Sequence, residues 1–124
     1  MQINTFKIYC FVDKFNLSEL CQLGKNINVI YRNYNNINHL ENILKLKKYC
    51  KNTNHKFYLS NNIKLSIKLG LNGAYIPSFN KSFKTNSYTL HKNFKLMGSA
   101  HNLLEIRTKE LQKVDYLFPV SYTH

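Results

Sequence analysis

The chain has 124 residues, of which 44% are hydrophobic and 14% aromatic, enough apolar material for the core of one globular domain. No stretch is long and apolar enough to cross a membrane, and the N-terminus lacks the apolar centre of a signal peptide. We therefore expect a cytoplasmic protein without a membrane partner. Eighteen lysine and arginine residues against six acidic residues give a formal net charge of +12. Nucleic-acid binding is the obvious inference from this charge, and a lysine-rich solvated surface is the ordinary alternative.

Short apolar runs alternate with helical patterns along the chain and predict an α/β domain. A strand near residues 6–12 is followed by a short helix that ends before Gly24. A second strand at 27–31 leads through an Asn-rich turn to a helix whose expected cap is Asn38. The apolar positions of that helix keep a helical period, namely Leu40, Ile43, Leu44, Leu46 and Cys50.

The segment 57–80 is the most regular part of the pattern and is typical of one β-α-β unit. An apolar run at 57–59 ends in a polar tip, and the next apolar positions fit one face of a helix. Gly70 and Gly73 bracket the helix exit before a second apolar run at 74–76, which favours a parallel crossover over a hairpin. In parallel α/β folds the loops after the strands carry ligands, so we expect functional residues there.

Two further strands, at 94–97 and 116–118, bring the expected number to about six. The pattern at residues 79–93, before the first of these two strands, is weak, and residues 82–88 fit either a loop or a frayed short helix. The cysteines are odd in number and form no CxxC pair, which indicates reduced thiols rather than a disulfide framework or a zinc site. They are Cys10, Cys21 and Cys50.

Several segments follow the order and spacing of one enzyme family. Asn61-Asn62 stands after a strand where that family has Asn-Asp, and Leu71-Asn72-Gly73-Ala74-Tyr75-Ile76-Pro77 stands at its Ala-Asp-Gly-Val-His-Leu-Gly motif. The segment 94–102 ends in a Gly, Ser and His turn, and 114–118 is similar to the family's Ala-Asp-Tyr strand. In these segments the chain resembles the thiamine phosphate synthase and TenI family of (β/α)8 barrels, over most of residues 6–118.

This resemblance implies a partial (β/α)8 TIM barrel with about six parallel strands in residues 1–118. A complete barrel needs roughly 250 residues, so we interpret the chain as a C-terminally truncated piece. Two open sheet edges would favour self-association. The segment 119–124 follows no barrel pattern and resembles adapter read-through at the ends of environmental gene fragments, so we treat it as a tail of separate origin.

The resemblance also implies an enzyme of thiamine biosynthesis. Thiamine phosphate synthases join hydroxymethylpyrimidine pyrophosphate to thiazole phosphate and release pyrophosphate, so the expected partners are phosphorylated small molecules. Arg32 matches the arginine of the family's Gln-x-Arg-x-Lys motif, although the Gln and Lys positions carry Ile30 and Tyr34. Asn61 and Ser99 match substrate-binding positions. For Arg32, a surface charge is an equally common role for a lone arginine after a strand.

The cofactor of these synthases is Mg²⁺, which the resemblance places at two carboxylate positions. Those positions carry Asn62 and Asn80 in this chain. A hard dication prefers carboxylate oxygen over amide oxygen, so the substitutions weaken the expectation of a magnesium site.

Two other hypotheses stay open. TenI-type thiazole tautomerases share the barrel, work without metal and use a histidine in this turn for proton transfer, which makes His101 the candidate catalytic residue. A non-enzymatic basic domain that binds nucleic acid is the third hypothesis. We do not favour it, because arginine is nearly absent and the lysines are spread along the chain apart from a cluster at 45–51.

Overall fold

The structure is a computed structural model that describes residues 2–3, 8–34 and 39–119. Six parallel strands alternate with helices, and a two-residue strand precedes them. The strands are β1 (Gln2–Ile3), β2 (Ile8–Val12), β3 (Ile27–Tyr31), β4 (Phe57–Ser60), β5 (Gly73–Ile76), β6 (Lys95–Ala100) and β7 (Tyr116–Pro119). The α-helices are α1 (Leu17–Leu20), α2 (His39–Thr53), α3 (Ile63–Lys68) and α4 (Leu103–Leu111), with a 3-10 helix at Lys84–Ser87.

All strand pairs are parallel, and the strands run across the sheet in the order β1-β7-β6-β5-β4-β3-β2. From β2 to β7 this is the order of the sequence, as in a barrel built from successive β-α-β units. The predicted unit at 57–80 is confirmed, since α3 connects β4 to β5 with Leu59 opposite Ala74. The prediction of a partial (β/α)8 barrel with about six parallel strands is confirmed.

The sheet curls until side chains from its two ends meet. The rings of Tyr9 in β2 and Phe118 in β7 have centroids 4.6 Å apart, although four strands separate β2 from β7 in the sheet. Strand β1 pairs with β7 while β2 pairs with β3. Because Ile3 and Ile8 are five residues apart, their Cα atoms lie within roughly 18 Å of each other, which also requires the two ends of the sheet to be close.

Alternate residues of the strands point into and out of the curl, as the two-residue strand period requires. The inward face holds Ile30, Tyr58, Tyr75 and Met97, with further aromatic rings packed on them. The outward face packs against the helices in two clusters, of which the larger joins β3 and β4 to α2. Burial on both faces explains why these strands read as unbroken apolar runs.

The observed elements differ from the predicted ones mainly at their ends. Residues 6–7, the expected start of the first strand, and Asn38, the expected cap of α2, lie outside the described residues. The undecided stretch at 82–88 contains the 3-10 helix. Strand β7 extends to Pro119, opposite Ala100, whereas residues 120–124 lie outside the described part of the chain. No helix among the described residues could span a membrane.

Candidate functional site

A cavity of about 570 Å³ opens at the carboxyl ends of the strands. Arg32 follows β3, Ser78 follows β5, Ser99 lies in β6 and His101 follows it, and all four line the cavity. Three of the residues selected from the sequence, Arg32, Ser99 and His101, therefore share one site. The remaining walls are mostly aromatic, formed by Tyr9, Phe11, Tyr34, Tyr75, Phe79 and Phe118.

Arg32 supplies a positive charge at the cavity. Its guanidinium carbon lies 4.1 Å from the centroid of the Phe11 ring, and its backbone N–H donates to the carbonyl of Val12 at 2.8 Å. The cation–π contact orients the side chain and leaves the guanidinium N–H groups to bind a ligand in the plane of the fork. Burial raises the pKa of the Tyr75 hydroxyl, and the charge of Arg32 offsets a part of that rise.

Tyr75 and Ser99 form a buried pair at the base of the cavity. The Tyr75 hydroxyl donates to Ser99 Oγ at 2.7 Å, and each residue is 5% exposed. Burial raises the pKa of Tyr75, and the hydrogen bond to Ser99 and the charge of Arg32 only partly offset that rise. Tyr75 is therefore a neutral donor at pH 7. Because Ser99 accepts this bond, its own hydroxyl hydrogen can be donated to a ligand oxygen.

His101 is held by the carboxylate of Glu105, one helical turn further on. Glu105 Oε1 accepts the backbone N–H of His101 at 2.7 Å and lies 3.0 Å from His101 Nδ1. The backbone bond is the largest cause of the lowered pKa of Glu105, so the carboxyl stays ionised. Donation from Nδ1 to a carboxylate makes Nε2 the basic nitrogen of a neutral imidazole and stabilises the imidazolium formed when Nε2 takes a proton.

Helix α4 begins beside this pair and fixes it. Asn102 caps the helix by accepting the backbone N–H of Glu105 at 2.9 Å. Glu105 in turn reaches back to His101, an arrangement close to a capping box. The sequence carried this signal as Asn102-x-x-Glu105 beside a histidine four residues before the glutamate, but the resemblance drew attention to His101 alone.

The three asparagines selected from the sequence lie elsewhere. Asn61, Asn62 and Asn80 line a smaller hollow of about 220 Å³ between β4, β5 and α3, and none of them lines the aromatic cavity. Asn80 Nδ2 donates to Asn61 Oδ1 at 2.6 Å. The structure therefore separates Asn61 from Arg32 and Ser99, with which the sequence had grouped it as a substrate-binding residue.

The donor set of this hollow does not fit Mg²⁺. Asn62 Oδ1 caps α3 by accepting from the Leu65 N–H, Asn80 Oδ1 accepts from the Ser82 N–H, and Asn61 Oδ1 accepts from Asn80. The Lys109 ammonium lies 2.8 Å from the carbonyl oxygen of Asn80 and would repel a dication. Three neutral, occupied amide oxygens beside a cation lack the carboxylates that hold magnesium. No group of three acidic, histidine or cysteine side chains in the described residues could replace them.

Lys109 and Gln112 of the α4 segment hold the loop after β5, a role that sequence reasoning missed. Both are fully buried, and both donate to the carbonyl of Asn80 at 2.8 Å. Gln112 also donates to the carbonyl of Ser82 and accepts from Lys109 Nζ. Burial lowers the pKa of Lys109 to about 8. This loop carries Ser78 and Phe79 into the cavity wall, so the buried lysine positions the site from behind.

Comparison with known proteins adds no identification: the chain matches no family model and no curated protein.

Proposed function

We propose that the cavity binds a phosphorylated heteroaromatic compound and that His101 moves a proton on its ring without a metal ion. This is the thiazole tautomerase activity of TenI-type proteins, in the cytoplasmic pathway of thiamine biosynthesis. The observation that carries the proposal is that Arg32, Ser99 and His101 line one cavity although the first and the last are 69 positions apart in the sequence.

Each part of such a ligand has a matching group. The guanidinium of Arg32 and the hydroxyl of Ser99 suit phosphate oxygens, since a charged fork and a hydroxyl donor are typical phosphate ligands. The aromatic walls suit a planar ring, and the volume of about 570 Å³ is typical of small-molecule sites.

Proton transfer follows from the His101–Glu105 pair. Nε2 removes a proton from one ring position, the carboxylate of Glu105 stabilises the resulting imidazolium at Nδ1, and Nε2 returns the proton at another position. The ligand is isomerised and His101 is regenerated.

The proposal is tested by calorimetry with thiazole phosphate and the full chain. Arg32→Ala should weaken binding by about 1.5 to 3 kcal/mol, the range for a hydrogen bond to a charged group. Arg107→Ala is the matched control, because it removes the same charge from an exposed side chain that pairs with Glu110 on α4. His101→Gln should abolish isomerisation while binding persists. Equal affinities of the wild type and Arg32→Ala would contradict the proposal.

Thiamine phosphate synthase activity is the second candidate, supported by Arg32 and Ser99, the two residues that match its pyrophosphate-binding positions, in the same cavity. It requires Mg²⁺, whose expected position carries amides. Binding of hydroxymethylpyrimidine pyrophosphate with and without Mg²⁺ separates the candidates. A wild-type affinity raised tenfold or more by Mg²⁺ would favour the synthase, whereas a gain seen only in Asn62→Asp/Asn80→Asp would indicate a synthase site that has lost its metal.

A further inference from the structure

A second concave surface lies at the opposite end of the sheet, where the strands begin. It consists of two hollows, of about 560 and 300 Å³, that adjoin through Lys56 and Asn72, which line both. Lys56 precedes β4, Asn72 precedes β5 and Lys95 begins β6. We call this surface the amino-terminal groove. It is distinct from the aromatic cavity, with which it shares no lining residue.

The amino-terminal groove is uniformly basic. Lys47, Lys51, Lys56 and Lys95 line it, and none of its described lining residues is acidic. Within the described part of the chain, the ion pairs formed by lysine and arginine involve Lys45 and Arg107, so these four lysines have no carboxylate partner. Lys47 and Lys51 are one turn apart on α2 and so project from one side of the helix.

The end of α2 does not cancel this charge. Carbonyl groups at a helix C-terminus repel anions, but two of them are occupied here: Thr53 Oγ1 donates to the carbonyl of Tyr49 at 2.8 Å, and the His55 N–H donates to that of Cys50 at 2.9 Å. Lysine side chains are long and flexible enough to carry their ammonium groups beyond the helix end. An anion approaching the groove therefore meets cations first.

The shape and lining of the groove indicate the kind of anion. Two adjoining hollows with lysines along both suit an extended chain of phosphates better than one compact anion. Tyr116 lines the hollow that contains Lys95 and is partly exposed, whereas Tyr58 beside it is buried. A partly exposed aromatic ring beside a row of basic side chains is suited to stack on an unpaired base. A concave surface can hold a single nucleic-acid strand along its length, whereas a flat lipid bilayer would contact only the rim of the groove.

We propose that the amino-terminal groove binds the sugar–phosphate backbone of single-stranded nucleic acid. Lysine provides point charges without the planar fork that reads bases, so binding is strongly salt-dependent and has little sequence preference. The site is independent of the small-molecule cavity and stands whether or not the function proposed there is right.

Fluorescence anisotropy of labelled 12-nucleotide oligouridine and oligothymidine tests the proposal with the full chain. If all four lysines displace counterions, the slope of log K against log salt is about −2.8, at about −0.7 per contact. Raising NaCl from about 50 to 200 mM should then lower affinity about 50-fold. The Lys51→Ala/Lys56→Ala variant should halve the slope to about −1.4 and bind markedly more weakly at low salt.

The matched control is Lys64→Ala/Lys84→Ala, which removes the same charge from the hollow at the other end of the sheet and should bind like the wild type. Lys51→Arg/Lys56→Arg keeps the charge and should retain binding, which separates loss of charge from loss of fold. Equal weakening in both alanine pairs would show attraction by net charge alone and overturn the proposal. Absence of binding at low salt, or tighter binding to phosphatidylserine vesicles through the same lysines, would also overturn it.

Discussion

Replacing Lys109 by methionine should change how the stability of the fold depends on pH. Lys109 is fully buried under β6, with its ammonium bound to Asn80 and Gln112. Methionine fills a similar volume without a charge, and Gln112 still holds the carbonyls of Asn80 and Ser82. The packing of the loop after β5 is thus largely kept, whereas the titrating group is removed.

The direction of the effect follows from the two pKa values of the lysine. Burial is the main reason that the pKa falls from 10.5 to about 8 in the folded chain, with Glu105 raising it and Lys81 lowering it further. Between these values the unfolded chain binds a proton that the folded chain does not, so stability rises with pH. The contribution amounts to about 1.3 kcal/mol of unfolding free energy between pH 7 and 9.

Other groups titrate in the same range and must be subtracted. Burial raises the pKa of the Cys50 thiol to about 12 from 9.0 and also raises the pKa of Tyr58. These acids keep their protons in the folded chain while the unfolded chain loses them, so they lower stability as pH rises. Both are present in the wild type and in Lys109→Met, and the difference between the two proteins isolates the lysine.

Urea unfolding followed by circular dichroism at pH 7 and 9, at constant ionic strength, provides the measurement. The wild type should gain about 1.3 kcal/mol relative to Lys109→Met over that interval. Midpoints that do not change with protein concentration would show that association does not contribute. If the stability difference between the two proteins is the same at both pH values, the Lys109 ammonium is not desolvated in the fold, and the reasoning about how it holds the loop after β5 fails.

Three further predictions concern packing, capping and the sheet edge. Gly98→Ala should lower the free energy of unfolding by about 1 to 3 kcal/mol, because the added Cβ would lie 2.7 Å from Lys109 Cδ. Gly24→Ala is the control in the same unfolding assay and should be tolerated, because the atom nearest to its added Cβ would lie 3.8 Å away. Asn102→Ala should lower stability by about 1 kcal/mol through loss of the α4 cap, and a shifted imidazole NMR signal of His101 should accompany it. Ile8→Lys should reduce self-association as measured by light scattering. Ile8 is 63% exposed on β2, the strand at one edge of the sheet, and a lysine there opposes pairing with the edge of another molecule. An unchanged particle size would mean that molecules do not associate through this edge.

The sequence predicted the elements that local chemistry dictates. The β4-α3-β5 unit was found because a polar tip, a helical period and two glycines agree over one short segment. The grouping of Arg32 with Ser99 came from the family resemblance, and the parallel order supported it, because parallel strands end at the same side of a sheet. Self-association and the enzymatic roles of these residues stay predictions.

The aromatic walls of the cavity could not be read from the sequence. Tyr75 stands in a strand whose neighbours are apolar on both faces, so alternation does not reveal which residues point inward. Asn61 and Asn80 also follow strands, but the turns place them at the hollow beside α3 and not in the aromatic cavity. Lys109 has the polarity of a surface residue, but its side chain packs in the space that Gly98 leaves by having no Cβ.

A protein with a formal charge of +12 attracts any anion, so binding of a phosphate compound or of an oligonucleotide supports neither proposal by itself. The two proposals can be distinguished by where each ligand binds, because the curled parallel sheet places Arg32 at one end and the lysines of the amino-terminal groove at the other. Each proposal is therefore tested by a pair of variants that remove equal charge from different places. Arg32→Ala should weaken binding of the small phosphorylated ligand only, and Lys51→Ala/Lys56→Ala should weaken binding of the oligonucleotide only. A variant pair that affected both ligands equally would show that charge, and not either site, accounts for the binding.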